Sequence, residues 1–130
     1  MSNYIDGFVF PIPSESVRAY AKIATSVAEI WKEHGALEYI EFAGDDMCRE
    51  GLGSFEEALE IDENETIIFG WVVFETREIR DLANERVAAD PRMADLVAPL
   101  LGPSKPIFNA QRMLYGGFKS LQSTTESNSE

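Results

Sequence analysis

Two segments of this chain are apolar on both of their faces, and that property restricts the fold more than any other. In TIIFGWVVF, Thr66–Phe74, the residues Ile67, Phe69, Trp71 and Val73 alternate with Ile68, Val72 and Phe74. In YIDGFVFPI, Tyr4–Ile12, the residues Tyr4, Asp6, Phe8, Phe10 and Ile12 alternate with Ile5, Gly7, Val9 and Pro11. Successive side chains of a strand point to opposite faces, so both segments predict strands covered on both sides, in the middle of a sheet. Two other strand-like segments are mixed. Leu37–Ala43 places Glu38 and Glu41 among apolar residues, as an edge strand does. Arg112–Lys119, RMLYGGFK, holds paired glycines that mark a bulge or a close backbone approach.

The segments between follow helical spacing. From about Glu15 to Glu33, the residues Val17, Tyr20, Ala21, Ala24, Val27, Ala28 and Trp31 share one face, flanked by Ile23 and Ile30. Ser14 is the expected N-cap and Gly35 the left-handed stop. Thr76 caps a second helix to about Ala89, with Ile79, Leu82 and Ala83 toward the core and Arg86 at the next matching position. Asp90-Pro91 starts a short helix. Ser54 caps a helical turn in SFEEAL, and Val97–Gln111, with three prolines, reads as a long ordered loop.

The order is therefore βαββαβ. An α+β, ferredoxin-like antiparallel sheet in the order 4-1-3-2 puts the first and third strands in the centre, as their composition demands. One domain is expected over residues 1–119, with a flexible acidic Ser/Thr-rich tail over 120–130. Helices cover only one face of such a sheet. The other apolar face needs a cover, and a homodimer packing sheet against sheet supplies one.

Eleven Lys and Arg against 23 Asp and Glu leave a net charge of -12, which repels phosphate backbones and argues against a nucleic-acid partner. Six acids fall within Glu56–Glu65, a solvated acidic face. No apolar run approaches the ~20 residues that span a bilayer, so no membrane association is expected. The start of the chain lacks a basic, then apolar, signal pattern, and a cytoplasmic protein is expected. With one cysteine, Cys48, and one histidine, His34, there is neither an intrachain disulfide nor a four-ligand zinc site within one chain. No glycine-rich phosphate loop, nucleophile elbow or zinc-helix motif is present, so neither a metal nor a tightly held cofactor is expected.

The candidate chemistry is sparse. His34 lies in WKEHGALEY, where the first helix meets the second strand. Its ordinary pKa of ~6.5 suits a general acid or base, but the same position suits a cap for the helix end. Asp6 sits on an apolar strand face, where an unpaired carboxylate is costly; it pairs with a cation, Arg112 being the expected one, or titrates abnormally. Asp46 beside Asp45 is a candidate to orient a proton, or a turn former. Tyr115 and Arg112 are candidates to stabilise developing negative charge. Trp31, Phe69 and Trp71 are candidate walls of a ligand site, and Arg86 a candidate anion holder unless it reaches out to water. Cys48 lies among acids that favour its thiol, against a nucleophilic role.

Several strings, YIDGFVFPIP, WKEHGALEYIE, GDD, TIIFGWVVFETREIRD, ADPRM and RMLYGGF, together resemble the YbaA-like proteins, a bacterial family of unknown function within the dimeric α+β-barrel group. The resemblance runs to about Lys119. It implies a ferredoxin-like fold and a dimer but no activity, since the wider group includes cofactor-independent monooxygenases, lactone isomerases, haem enzymes and simple ligand binders.

Two functions fit. One is a small dimeric protein that binds a small molecule in a cleft and works on it by acid–base chemistry. The other is a non-catalytic module for a ligand or a protein partner. A cavity of several hundred cubic ångströms reaching His34 favours the first, and a filled core with His34 outside it favours the second.

Overall fold

Strand β1 (Tyr4–Pro13) runs through the middle of the molecule, paired antiparallel with β3 (Glu65–Phe74) on one side and β4 (Leu114–Lys119) on the other. Strand β2 (Glu38–Ala43) joins the far side of β3, so the sheet reads β2-β3-β1-β4. Read from its other edge this is the expected 4-1-3-2 order. The helices are α1 (Val17–Glu33), α2 (Phe55–Ala58), α3 (Arg77–Ala89) and α4 (Pro91–Val97). This computed structural model describes residues 3–102 and 106–122. From residue 123 onward the expected tail lies outside the described residues.

The alternation in β1 and β3 sorts the core. Tyr4, Asp6, Phe8, Phe10 and Ile12 face the helices, with Ile68, Gly70, Val72 and Phe74 beside them. Phe10, Ile12 and Phe74 are the largest fully buried side chains. Helix α1 buries Val27 and Ile30, while Ala21 is exposed. Its inward face is thus turned toward the Ile23–Val27–Ile30 flank, where α4 packs against it.

Two local expectations are corrected. Ser14 does not cap α1: residues Ser14–Ser16 form a 3-10 turn, and the Ser14 hydroxyl lies 2.7 Å from that of Thr66. In α3 the buried residues are Ala83 and Val87, and Leu82 and Arg86 are exposed. Leu82 and Ala83 stand about 100° apart on a helix. Reading Leu82 as inward turns the face away from the 79–83–87 stripe that the sheet covers.

The other helix signals act as expected. The Thr76 hydroxyl accepts from the Ile79 N–H at 3.1 Å, Ser54 caps α2 through the Glu57 N–H at 3.0 Å, and Asp90 caps α4 ahead of Pro91. Gly35 stops α1 at φ 126°, with the Ala36 N–H returning to the Trp31 carbonyl at 3.0 Å. A side chain at Gly35 would also meet Ile79, its Cβ lying 3.1 Å from Ile79 Cγ2.

Among the described residues, the second face of the sheet carries only the four-residue α2, whose Phe55 ring lies 5.8 Å from that of Phe69. Ile40, Phe42, Phe69, Leu114 and Phe118 are exposed there. One end of it is covered by the chain between β2 and β3, where Leu59 packs with Val9 and Ile67, flanked by Met47 and Ile61. Two apolar residues in the acidic stretch therefore fasten it to the sheet.

Candidate functional site

Between the helical face of the sheet and helices α1 and α4 lies a cavity of about 310 Å³. Phe8, Phe10 and Val72 form its floor. Val27 and Trp31 enter from α1, Met93 and Val97 from α4, and Leu100 and Phe108 from the chain that follows. The walls are aromatic and aliphatic, with polar groups confined to a few positions, as in many small-molecule sites.

One polar position is Asp6, 4% exposed. Its Oδ1 accepts hydrogen bonds from Arg80 Nη1 at 2.9 Å and from the Tyr115 hydroxyl at 2.6 Å. Arg80 Nη1 also lies 2.6 Å from the Tyr115 oxygen, and its Nη2 donates to the Tyr4 hydroxyl at 3.1 Å. The guanidinium sits 4.8 Å from the Tyr4 ring centroid, a cation–π distance. Register builds this cluster. Tyr115 stands opposite Phe8, one pleat along from Asp6, and Gly117 stands opposite Asp6 itself. A Cβ at Gly117 would collide with the Tyr4 hydroxyl, so the glycines of β4 do mark a close approach. Burial, followed by the bond to Asp6, pushes the Tyr115 phenol up to about 12.

A second polar pair stands at the β2 side. Tyr20 and Tyr39 line the cavity, and the Tyr20 hydroxyl donates to Glu41 Oε2. Glu41 Oε1 is buried and has no hydrogen-bond partner among the described residues. Burial raises the Glu41 carboxyl above its ordinary range, against the lowering effect of the Tyr20 bond. Burial also drives the Tyr20 phenol far up, with Glu41 adding to it. Gly70, opposite Glu41, makes the room: a Cβ there would lie 2.7 Å from the Ile40 carbonyl oxygen and 2.8 Å from Glu41 Cγ.

The cavity does not reach His34. Its Nε2 is 2.9 Å from Asp90 Oδ2, at the junction of α1 and α4. Arg92 Nη2 joins that junction at 2.7 Å to both Asp90 and Glu33. Arg112 does not meet Asp6 either; it holds Glu65 at 2.6 Å and points at the carbonyls of Leu59 and Glu60. Arg80 takes the place expected for Arg112, because one turn into α3 it lies over β1, whereas Arg112 precedes β4 at the opposite end of the pairing. Asp46 is solvent-exposed, 4.0 Å from Arg49. Phe69 and Trp71 lie on the opposite face of the sheet, with ring centroids 5.9 Å apart, and Phe55 of α2 packs on Phe69 at 5.8 Å between centroids. Arg86 is exposed on α3. Of the predicted site residues, Asp6, Trp31 and Tyr115 come together in the cavity.

Three contributors escaped sequence reasoning: Arg80, Tyr20 and Glu41. Glu41 shares a strand face with Tyr39, which was legible as alternation. That Tyr39 and Glu41 are half-buried depends on α1 lying over them. Among the described residues, no three His, Cys, Asp or Glu side chains are placed to hold a metal. No helix there is long and apolar enough to cross a membrane.

Residues 3–101 match the family described as "Protein of unknown function (DUF1428)". The chain belongs to the DUF1428 family. It is 37% identical over 118 residues to the protein YbaA of Escherichia coli K12, covering 91% of this chain and 96% of the relative. The same figures hold for YbaA of Shigella flexneri. This DUF1428 chain is also similar in fold to SnoaB, a cofactor-independent oxygenase from Streptomyces nogalater, with TM-score 0.56, 13% identity, and 95% and 98% of the two chains covered. A monooxygenase from Streptomyces coelicolor in complex with nanaomycin D gives TM-score 0.54, 16% identity, and 96% and 93% coverage. A NIPSNAP-family protein of unknown function from Agrobacterium tumefaciens gives TM-score 0.54, 17% identity, and 91% and 87% coverage. At such identities the likeness is one of fold: the DUF1428 chain shares their ferredoxin-like α+β architecture.

Proposed function

We propose that this protein binds a small, flat, mostly apolar molecule in the cavity over the sheet and exchanges a proton with it at the Asp6–Tyr115 end. The observation that carries this reading is a buried carboxylate at the edge of an otherwise aromatic and aliphatic cavity of about 310 Å³. Aromatic walls favour a ring compound, and a hydroxyl or keto group on it fits the Asp6–Tyr115 end. Tyr115 keeps its proton at neutral pH; as Asp6 accepts a proton from the ligand, the single Tyr115 O–H turns from Asp6 to the developing oxyanion, and the Arg80 guanidinium beside both offsets the negative charge. Of the fold relatives, one is described as a cofactor-independent oxygenase, which supports chemistry without a tightly held cofactor, and another is described in complex with the ligand nanaomycin D, which supports small-molecule binding.

A screen of hydroxyquinones, naphthols and related phenolics by thermal shift tests the reading. Binders should raise the melting temperature of the native protein, and Trp31→Ala should abolish that rise. A screen in which every compound leaves the melting temperature unchanged overturns it. A non-catalytic ligand module is the second reading. It is favoured by the engagement of Asp6 Oδ1 by both Arg80 and Tyr115, as in a structural ion pair. If Asp6→Asn still binds the same compounds and no binder is ever converted, the second reading stands.

A homodimer through the sheet face opposite α1 and α3 belongs to the same proposal. Ile40, Phe42, Phe69, Leu114 and Phe118 form an apolar surface there, larger in character than scattered exposed residues.

A further inference from the structure

Asp6 uses one oxygen within the protein and leaves the other free. Oδ1 takes the bonds from Arg80 and Tyr115, while Oδ2 has no hydrogen-bond partner among the described residues. The Asp6 side chain is 6% exposed and lines the cavity over the sheet. Unlike Glu41 Oε1, its Oδ2 is not sealed by its surroundings. A carboxylate oxygen so deeply placed is stabilised by a donor that enters the cavity. Several polar groups lining the cavity are already engaged: the Tyr115 O–H by Asp6, the Tyr20 O–H by Glu41, and Asn84 Nδ2 by the Arg80 carbonyl. The Tyr39 hydroxyl is not engaged; it makes no hydrogen bond among the described residues and is not sealed either. Its ring is held between those of Phe8 and Trp31, with centroids 6.2 and 6.3 Å away.

We infer that the ligand of this cavity is a neutral arene of two fused rings with an oxygen at each end: a hydroxyl that donates to Asp6 Oδ2 and a far oxygen that accepts from the Tyr39 O–H. The inference rests on the proposed reading of the cavity as a small-molecule site and narrows its ligand class. Register sets the span. Asp6 pairs with Val72 and Val72 with Tyr39, so the three form one row across β1, β3 and β2, and all three line the cavity. Neighbouring strands lie ~4.8 Å apart, which puts the Asp6 and Tyr39 backbones about 10 Å apart. Between them Val72 offers only methyl groups, so the middle of the ligand is apolar and its polar atoms belong at the two ends. Charge sets the rest. Arg80 already balances Asp6 at 2.9 Å, so an ammonium or a carboxylate on the ligand would bring an unpaired charge into an apolar space. A hydroxyl supplies the missing donor without one.

Titration calorimetry on the native protein tests the two ends separately. 2-Naphthol should bind about tenfold more tightly than 2-fluoronaphthalene, which is similar in size and lacks the O–H donor for Asp6. 2,6-Dihydroxynaphthalene should bind about fivefold more tightly than 2,3-dihydroxynaphthalene, which has the same formula with both hydroxyls on one ring. Tyr39→Phe keeps the ring between Phe8 and Trp31 and should remove the preference for the 2,6 isomer while leaving 2-naphthol binding unchanged. Both ligand pairs are decisive on the native protein even if that variant folds poorly. Equal binding within either pair, or a full preference for the 2,6 isomer in folded Tyr39→Phe, would overturn the two-ended site. If the naphthalenes bind without these preferences and Trp31→Ala abolishes the binding, the cavity reading stands and the two-ended ligand falls. If none of them binds, both fall.

Discussion

At the scale of the residue, Asp6 and Arg80 depend on each other. Their side chains are 6% and 12% exposed, and removing one charge leaves the other buried without its partner. Asp6→Asn should cost about 3 kcal/mol in chemical denaturation, in the range for breaking a buried pair. Replacing both, Asp6→Leu with Arg80→Met, should cost much less than the two single losses added together, since neither charge is then left alone. Glu41 gives a prediction of opposite sign. Its folded pKa is raised, so its contribution to stability is full below its ordinary value of 4.5 and is lost as pH rises through the folded value. Glu41→Gln should therefore raise the melting temperature at neutral pH, and the difference should vanish at pH values below the ordinary one. A gain that persists unchanged into acid would show that the carboxyl is not the cause.

At the scale of the element, α4 forms one wall of the cavity. It contributes Met93 and Val97, and its N-terminus is held by one cluster in which Asp90 meets Arg92, His34 and the N–H of Arg92. Arg92 first, and then His34, holds the Asp90 carboxyl well below its ordinary 3.8. That contribution is present above 3.8 and is lost as the pH falls through the lower folded value. His34→Ala should speed amide hydrogen exchange across Pro91–Val97 while leaving β1 and β3 protected. Unchanged exchange in α4 would show that Arg92 alone secures the joint. The lone histidine is thus a fastener for a cavity wall, and its effect on any ligand is indirect.

At the scale of the whole molecule, the sheet has one face covered by α1, α3 and α4 and one covered, among the described residues, at one end by Leu59, Ile61 and Met47 with Phe55 of α2 against the Phe69 ring. The rest of that face presents Phe69 and Phe118, 41% and 56% exposed, in the middle of an apolar surface. In the proposed dimer this surface is internal. Sedimentation at micromolar concentration should give twice the chain mass of 14.5 kDa, and Phe69→Lys should shift it to a single chain by burying a charge between the sheets. A single-chain mass for the unmodified protein would remove the dimer.

Much of the architecture is local information. Strict alternation in Ile67–Phe74 and Tyr4–Ile12, Gly35 after a long amphipathic run, and Thr76 and Asp90 before helical ones each act through neighbouring backbone, so the order of elements and the central strands follow from the chain alone. The candidate site is another matter. Asp6 was recognisable as a carboxylate that needs a cation, because its own strand face is apolar. Which cation answers it was not, since Arg80 lies 74 residues away and reaches Asp6 only when α3 lies across β1. Leu82 read as part of the inner face of α3 with Arg86 next in line, and the sheet instead selected Ala83 and Val87. Glu41 marked an edge strand, which β2 is, but not that α1 half-covers it. Periodicity records how a segment meets its own neighbours; the pairing of distant side chains, and the space left between them, exist only once the layers have packed.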